Sequence, residues 1–157
     1  MSVLIRVMRR KEKEISSDNE IRDILNHAQI CHLALSSENQ PYIVPLYFGY
    51  HKNRLYFHSA SEGKKLDIIQ KNPNVCFSVS TDVEMVPGAT PCQWQSRYRS
   101  VTGFGAASVI HSERDKKKAL DIIMSRYAEG PFEYDRKSLS RCVIIQINIH
   151  SMTGKKS

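Results

Sequence analysis

Three apolar runs joined by short polar turns, between Ile30 and His58, restrict the fold of this chain more than any other feature. Residues 30–35, 41–50 and 55–58 are apolar or aromatic, as strands usually are. The polar residues between them are too few for a helical crossover, so each connection must reverse the chain in a hairpin. We therefore predict an antiparallel three-stranded meander.

Pro45 lies inside the second of these runs. Proline has no backbone N–H group, so it cannot donate a hydrogen bond to a neighbouring strand. The second strand is therefore predicted to lie at a sheet edge or to carry a bulge at this residue.

The remaining apolar runs complete a mostly β chain. Further strands are predicted at residues 75–80, 98–110 and 142–149. Helices are predicted at residues 18–28, 62–71 and 112–129, and a long loop at residues 82–96. Because hairpins outnumber helical crossovers, we predict a small barrel of about six mainly antiparallel strands with peripheral α-helices.

The whole chain, residues 1–157, is predicted to form a single domain, because its length is typical of one. Residues 1–14 have no regular period and are predicted to be a basic N-terminal arm, with residues 154–157 as a tail. These two ends carry most of the net charge of +7, whereas nucleic-acid-binding proteins concentrate charge on a folded face. We therefore expect no nucleic-acid partner.

The sequence predicts neither a membrane span nor a metal site. No apolar run reaches the roughly 18 residues of a membrane-spanning helix, and the first residues lack the pattern of a signal peptide. We expect no membrane association and a cytoplasmic location, where the four cysteines would be free thiols. Cys31 and His32 are neighbours on a predicted strand and would point in opposite directions, so they do not form a metal-binding pair.

The third strand runs into a helix through a turn that could bind an anion. Ser59 and Ser61 are candidate helix caps, and Gly63 would let a ligand approach the backbone. Lys64 and Lys65 lie in the first helical turn, where free N–H groups already favour an anion. These residues allow two interpretations, a phosphate-binding turn or a solvated helix start with surface lysines.

Seven short segments carry a similarity to known proteins. They are Met8–Lys11, Cys31–Ala34, Pro41–Tyr50, Tyr56–Lys65, Asn72–Phe77, Tyr98–Gly105 and Thr153–Lys156. In this order and spacing the chain resembles the pyridoxamine 5'-phosphate oxidase-like family of FMN-binding split barrels. Within that family it is most similar to the nitroimidazole-resistance, flavin-nucleotide-binding branch, over residues 8–156.

The resemblance implies a split β-barrel that works as a homodimer with FMN at the interface. It places the isoalloxazine ring beside Ile43, Val44 and Pro45. It assigns the ribityl phosphate to His58, Ser59, Lys64 and Lys65. It brings Arg99, Ser100 and Val101 near the cofactor across the interface. Charge-assisted donors are what a phosphate dianion requires, so the resemblance favours the phosphate-binding interpretation of the turn.

The resemblance also implies an FMN-dependent oxidoreductase. Its small-molecule substrate would be an electrophile such as a nitroaromatic, with electrons from a nicotinamide nucleotide or another donor. The oxidases proper carry substrate-phosphate residues near the C-terminus that have no counterpart in this chain, so oxidation of pyridoxamine phosphate is not expected. The alternative is a non-catalytic protein that stores or senses flavin, or that binds haem through a histidine.

No residue is assigned as a catalytic acid or base from the sequence. His58 has three candidate roles: a hydrogen bond to the phosphate, ligation of haem iron, or proton donation near the flavin. Trp94 and Tyr98 lie in or after the predicted loop, where an aromatic ring could cover the flavin or pack in an interface.

Overall fold

Two tight turns explain how the meander forms. Glu38 and Asn39 have φ angles of 53° and 60°, and Lys52 and Asn53 have φ angles of 46° and 62°. Type I′ hairpin turns need a positive φ at both central residues, a conformation that asparagine tolerates well. The turns therefore reverse the chain directly between neighbouring strands, as predicted.

The computed structural model describes residues 8–157, in which strands predominate. The strands are β1 (Glu14–Ile15), β2 (Ile30–Ser37), β3 (Gln40–Tyr47), β4 (Gly49–His51), β5 (Arg54–Ala60), β6 (Asn74–Val86), β7 (Gln95–Ile110) and β8 (Cys142–Lys156). The α-helices are α1 (Asp18–His27), α2 (Lys64–Lys71), α3 (Glu113–Met124) and α4 (Arg136–Ser140). Short 3₁₀ turns lie at Lys11–Lys13 and Pro91–Gln93. The second strand of the predicted meander is thus two strands, β3 and β4, separated by Phe48.

The order of the strands closes the sheet into a barrel. All pairs are antiparallel, and the order is β3-β2-β6-β7-β8-β5-β4, with β1 beside β8. β3 and β4 stand at opposite ends of this order although only Phe48 separates them in the chain. The sheet must therefore curl until its ends meet. Pro45 lies on the edge strand β3, which confirms the position predicted for it.

Large apolar side chains fill the barrel. Phe48, Phe57 and Phe77 are completely buried in its interior. α1 lies against the barrel and adds Ile24 and Leu25 to the same core. Burial of each such side chain stabilises the fold by about 1.5–3 kcal/mol. The helices therefore lie at the periphery, as predicted.

The loop predicted at residues 82–96 is shorter than expected, because strands cover residues 82–86 and 95–96 of that range. β6 continues through Val86 and β7 begins at Gln95, so the two strands form a long hairpin. We call residues 82–97 the hairpin arm. Val83 and Met85 are 71% and 58% exposed. No residue of the arm is buried, so its two strands have no core-facing side.

The residues predicted as a tail belong to the sheet. β8 extends to Lys156, and Gly154 pairs with Val101 on one side and with Ile15 on the other. A Cβ atom at residue 154 would come within 2.8 Å of the Ile15 Cβ, so glycine allows this close approach. Residues 1–7 of the predicted arm lie outside the described residues. The rest of that arm ends in β1, where Glu14 pairs with Lys155.

Two helices differ from their predictions. α2 begins at Lys64, and its N-cap residue Gly63 makes no side-chain capping bond. The prediction that a serine caps this helix is therefore wrong. Ser59 is instead buried in β5, where its hydroxyl donates to the Ala60 carbonyl at 2.9 Å. α4 was not predicted, because five residues are too short to show a helical apolar period.

In the part of the chain that the structure describes, every helix is either too short or too polar to cross a lipid bilayer.

Candidate functional site

An opening between β3 and β5 is where the candidate site residues come together. β3 pairs with β2 along one edge. β4 covers residues 54–56 of β5, whereas residues 57–60 pair only with β8. Both strands thus have free backbone edges along this part of the barrel, so a ligand could lie there without breaking a strand ladder.

One end of the opening is a polar cavity at the start of α2, which we call the anion pocket. Its volume is about 310 Å³, and it is lined by Ser37, Glu38, Gln40, Pro41, Tyr42, Lys64, Asp67, Ile68 and Lys71. The Lys64 Nζ lies 4.8 Å from the centroid of the Tyr42 ring. The lining contains two carboxylates, Glu38 and Asp67. Lys71 pairs with Glu38 at 3.2 Å and so offsets the negative charge of that carboxylate. Lys64 has no carboxylate partner within salt-bridge distance among the described residues.

The helix start beside this pocket can accept an anion. Gly63 has a φ of 128°, a backbone conformation that residues with a side chain rarely adopt. Because Gly63 is the N-cap residue, no side chain caps the helix there. The first N–H groups of a helix have no partner inside the helix, so they remain available to a bound anion. Lys64 is exposed and Lys65 is half-buried, and both lie in this first turn.

The middle of the opening is the outer face of β3. Strand alternation leaves Ile43 62% exposed and Pro45 exposed, while Val44 packs against the core. These are the three residues that the resemblance places beside a flavin ring. An apolar strip of this kind suits a flat aromatic ring, because contact would remove both surfaces from water.

The other end of the opening is an apolar cavity of about 720 Å³, which we call the apolar cleft. It is lined by Pro45, Leu46, Tyr47, His58, Leu120, Ile123, Met124 and Tyr127. The Tyr47 and Tyr127 rings meet edge to face, with centroids 5.4 Å apart and planes at 88°. The Tyr127 hydroxyl lies 3.1 Å from the Gln29 carbonyl oxygen and 3.2 Å from the Phe48 carbonyl oxygen, so it is held in place by the barrel.

His58 faces this apolar cleft from β5. It is exposed, although its neighbours Phe57 and Ser59 are buried, because alternate side chains of a strand point to opposite faces. Among the described residues, none forms a hydrogen bond with the His58 imidazole. Both ring nitrogens are therefore free to bind a ligand or to carry a proton.

Arg99, Ser100 and Val101 line neither the anion pocket nor the apolar cleft of the same chain. The Val101 side chain is completely buried, so it packs in the core. The Arg99 guanidinium donates to Asp23 at 2.8 Å and to Asp82 at 2.5 Å. The hydrogen bond from Arg99 is the main reason that the pKa of Asp23 lies below its usual value. Ser100 is half-exposed.

Six of the eight residues of the apolar cleft were not identified as site residues from the sequence, namely Leu46, Tyr47, Leu120, Ile123, Met124 and Tyr127. The last four come from α3 or the turn after it, in a segment that the sequence predicted only as a helix. The sequence contains no local signal that shows on which side of the barrel α3 packs. Burial raises the pKa of the Cys31 thiol to about 12, so this cysteine is an inert core residue. Among residues 8–157, no three histidine, cysteine or acidic side chains gather as a metal site would require.

The chain is similar to known proteins both in sequence and in fold. The sequence pattern of the pyridoxamine 5'-phosphate oxidase family matches residues 17–156. A proposed 5-nitroimidazole antibiotic resistance protein from Bacteroides thetaiotaomicron VPI-5482 is 32% identical, with 91% of this chain and 86% of that chain covered and a TM-score of 0.82. The FAD and heme binding protein from Mycobacterium smegmatis is 24% identical, with 92% and 73% covered and a TM-score of 0.82, so its likeness is one of fold.

Part of the chain is also similar to a bacterial protein of unassigned function. The uncharacterized protein RA0666 of Rhizobium meliloti (strain 1021) is 30% identical over 105 residues. The match covers 64% of this chain and 63% of that protein, which is less than two thirds of the relative. The family match covers most of the chain, and the antiparallel barrel agrees with the solved neighbours. The chain therefore belongs to the pyridoxamine 5'-phosphate oxidase family and has its split-barrel fold.

Proposed function

We propose that this protein binds FMN in the opening between β3 and β5. The observation that carries the proposal is the order of chemistry along β3: the anion pocket at Tyr42, the apolar strip at Ile43 to Pro45, and the apolar cleft at Tyr47. Tyr42 and Tyr47 are five residues apart, so at about 3.3 Å per residue the strand between them is roughly 17 Å long. This length separates the charged end of the opening from its apolar end. A flavin mononucleotide has the same polarity, with a phosphate at one end and a tricyclic ring at the other.

Each end of the cofactor would have its own residues. Lys64, Lys65 and the free N–H groups of α2 would hold the phosphate, and Ile43, Val44 and Pro45 would lie beside the ring. The resemblance also assigns Ser59 to the phosphate, but the Ser59 hydroxyl already donates a hydrogen bond to the Ala60 carbonyl. The flavin named in the Mycobacterium smegmatis neighbour supports the cofactor class, and the uncapped, doubly basic helix start favours a phosphate.

We further propose that two copies assemble around the cofactor. An apolar row crosses the outer face of four neighbouring strands, because Ile43 pairs with Ala34, Ala34 with Cys76, and Cys76 with Phe104. Phe104 is 44% exposed in the single chain. A partner packed on this row would bury it, and would bring its own Arg99, Ser100 and Val101 towards the cofactor, as the resemblance implies.

The reaction proposed is the reduction of a small electrophile such as a nitroaromatic. Conversion of a nitro to a nitroso group takes up two electrons and two protons and releases water, and a nicotinamide nucleotide that supplies the electrons leaves oxidised. Bound FMN would carry the electrons between donor and acceptor. His58, which lines the apolar cleft together with Pro45, would donate a hydrogen bond to the acceptor. The apolar residues around it would exclude water.

The test is a visible absorption spectrum of the purified protein before and after addition of FMN. Flavin bands that stay with the protein through gel filtration, followed by oxidation of NADPH when nitrobenzene is added, are the expected result. Flavin retention without turnover would favour a flavin store or sensor instead. A Soret band would indicate haem, with the free His58 imidazole as the candidate ligand. If the protein binds neither FMN nor haem, the proposal is wrong.

A further inference from the structure

We propose that the hairpin arm of one copy packs on a second copy of the chain and covers the apolar cleft of that copy. This inference rests on the proposed assembly of two copies. It goes beyond that assembly, because it makes the apolar cleft incomplete in a single chain and assigns its cover to the arm of the other chain.

The two faces of the hairpin arm differ in chemistry. Glu84 pairs with Arg97, and the adjacent Met85 pairs with Ser96. Neighbouring pairs of a hairpin point to opposite faces, so one face of the arm is charged and the other carries Met85. The Met85 side chain is 58% exposed. The arm is therefore amphipathic, and its apolar face is uncovered in the single chain.

This apolar face continues into the outer face of the barrel. Alternate side chains of β7 point away from the buried Val101. They are Ser96, Tyr98, Ser100, Thr102 and Phe104. Their pairing partners on the outer face of β6 are Met85, Ser80, Ser78 and Cys76. None of these side chains is charged, so an uncharged surface extends from the apolar row at Phe104 onto the arm.

An uncharged surface of this kind suits a second copy of the same chain. The chain has a net charge of +7, so two copies repel each other wherever charged surfaces meet. In a two-fold contact the same surface of each copy takes part, and a face without charges avoids repulsion between like groups.

The size of the arm also favours a second copy over a separate partner. Two strands of about five residues, at about 3.3 Å per residue and 4.8 Å between strands, cover roughly 160 Å². A stable interface takes about 800 Å² from each partner. The arm alone would hold a partner weakly, so we expect it to dock together with the apolar row.

The register of the sheet shows which part of the second copy the arm meets. Leu46 pairs with Cys31, Cys31 with Val79, and Val79 with Val101, so these residues form one line across β3, β2, β6 and β7. Leu46 lines the apolar cleft. β3 and β6 run in the same direction, since both are antiparallel to β2. The arm therefore projects past the end of the sheet at which the cleft lies.

Two such sheets can pack face to face about a two-fold axis that runs along the strands. The strand order is then reversed between the copies, so β7 of one copy lies opposite β3 of the other. The arm of the first copy is brought to the apolar cleft of the second, where Tyr47 and Tyr127 are 63% and 41% exposed. An axis across the strands would instead bring the arm to the charged Glu38 and Lys71. Apolar contact favours the first arrangement.

The experiment detects the arm of one copy near the cleft of the other by NMR. One batch of protein carries a nitroxide on Cys92, the exposed cysteine of the arm, with Cys76→Ser to remove the half-buried thiol. The second batch carries ¹³C-methyl methionine and Cys92→Ser. After subunit exchange, any broadening of a methyl signal by the nitroxide arises between copies. We expect broadening of the Met124 signal, assigned by its loss in Met124→Leu.

Met152 is the internal reference, because it lies in a separate cavity beside Tyr50. Its methyl signal should keep its width in the mixed sample. A Met124 signal that also keeps its width, in a sample that light scattering shows to be dimeric, would overturn the inference and leave the proposed assembly intact.

A charge on either face of the arm gives the second measurement. Met85→Asp adds a carboxylate to the uncharged face. Gln95→Asp is the matched control, because Gln95 pairs with Val86, the neighbour of Met85, and so lies on the other face. The dissociation constant of the dimer in sedimentation should rise about tenfold or more in Met85→Asp, since an unpaired charge is costly to bury. Gln95→Asp should stay close to the unaltered protein.

Two further results would overturn the inference. One is an equal dissociation constant in Met85→Asp and Gln95→Asp. The other is a monomer by light scattering, which would also refute the proposed assembly. Failure of the flavin proposal is distinct from both, because it appears as an absence of FMN bands in the absorption spectrum.

Discussion

The Arg99 guanidinium donates from Nε to Oδ2 of Asp82 at 2.5 Å, at the residue where the hairpin arm leaves the barrel. Asp82 has a φ of 56° and lies at the register shift between Thr81 and Glu84. The same guanidinium donates from Nη1 to Asp23 on α1 at 2.8 Å. Arg99 therefore ties the base of the arm to a helix packed on the barrel, and so sets the direction in which the arm projects.

Loss of this tie should free the hairpin arm. In Arg99→Ala, the steady-state fluorescence anisotropy of Trp94, the single tryptophan, should fall because Trp94 lies at the tip of the arm. Arg97→Ala is the control, because Arg97 stands 3.9 Å from Glu84 with both side chains exposed, a pair that contributes little. Equal anisotropy in Arg99→Ala and the unaltered protein would contradict the role given to Arg99.

The same contact should respond to acid. The hydrogen bond from Arg99, and then the charge of His27, lower the folded-state pKa of Asp23. A lowered carboxyl pKa adds stability above the unfolded value of about 3.9, and that stability is lost as the pH falls through the folded pKa. Trp94 anisotropy should therefore drop below about pH 4. Asp23→Asn should remove this acid step, and a step that persists in Asp23→Asn would point to another group.

The two lysines of α2 should decide cofactor retention. We expect Lys64→Ala combined with Lys65→Ala to abolish retention of FMN in gel filtration while leaving the circular dichroism spectrum unchanged. Each charge-assisted hydrogen bond to a phosphate is worth about 1.5–3 kcal/mol, so the loss should weaken binding by about 100-fold or more. Lys117→Ala with Lys118→Ala, an adjacent pair on α3, is the control. Undiminished flavin affinity would refute the phosphate assignment.

Gly103 should not tolerate a side chain. A Cβ atom there would overlap the Phe77 ring and come within 2.9 Å of the Ser151 carbonyl oxygen. Gly103→Ala should lower the free energy of unfolding in urea by about 1–3 kcal/mol, because the packed core must shift. Ser108→Ala, at an exposed position on the same strand, should stay close to the unaltered protein. A neutral Gly103→Ala would mean that Phe77 can move.

Lys116 should matter for stability although it lines neither the anion pocket nor the apolar cleft. Its Nζ is buried and donates to the Leu139 carbonyl at 2.6 Å and to the Cys142 carbonyl at 2.8 Å. Lys116→Met keeps the length of the side chain but leaves both carbonyls unpaired, at a cost of about 1–3 kcal/mol each. Thermal unfolding should show the loss, whereas Lys117→Met, which breaks an exposed pair with Glu113, should change little.

Local signals in the sequence determined most of the elements. The apolar runs between Ile30 and His58 marked the strands, and Asn39 and Asn53 allowed the tight turns between them. The helix predicted at residues 18–28 is α1, and the residue before it, Ser17, caps it, since its Oγ accepts from the Glu20 N–H group. Pro45 marked an edge strand. These features could be predicted because each depends on neighbouring residues alone.

Tertiary structure decided the rest. Pro45 and His58 share one cleft only because the sheet closes with β3 and β5 side by side, and α3 lines that cleft only because it packs at the same place. The end of β8 is a strand because β1 and β7, far away in the chain, pair with it, although its own pattern predicted a tail. Contacts between residues far apart in the chain leave no local period, so the elements were predictable and their assembly into a site was not.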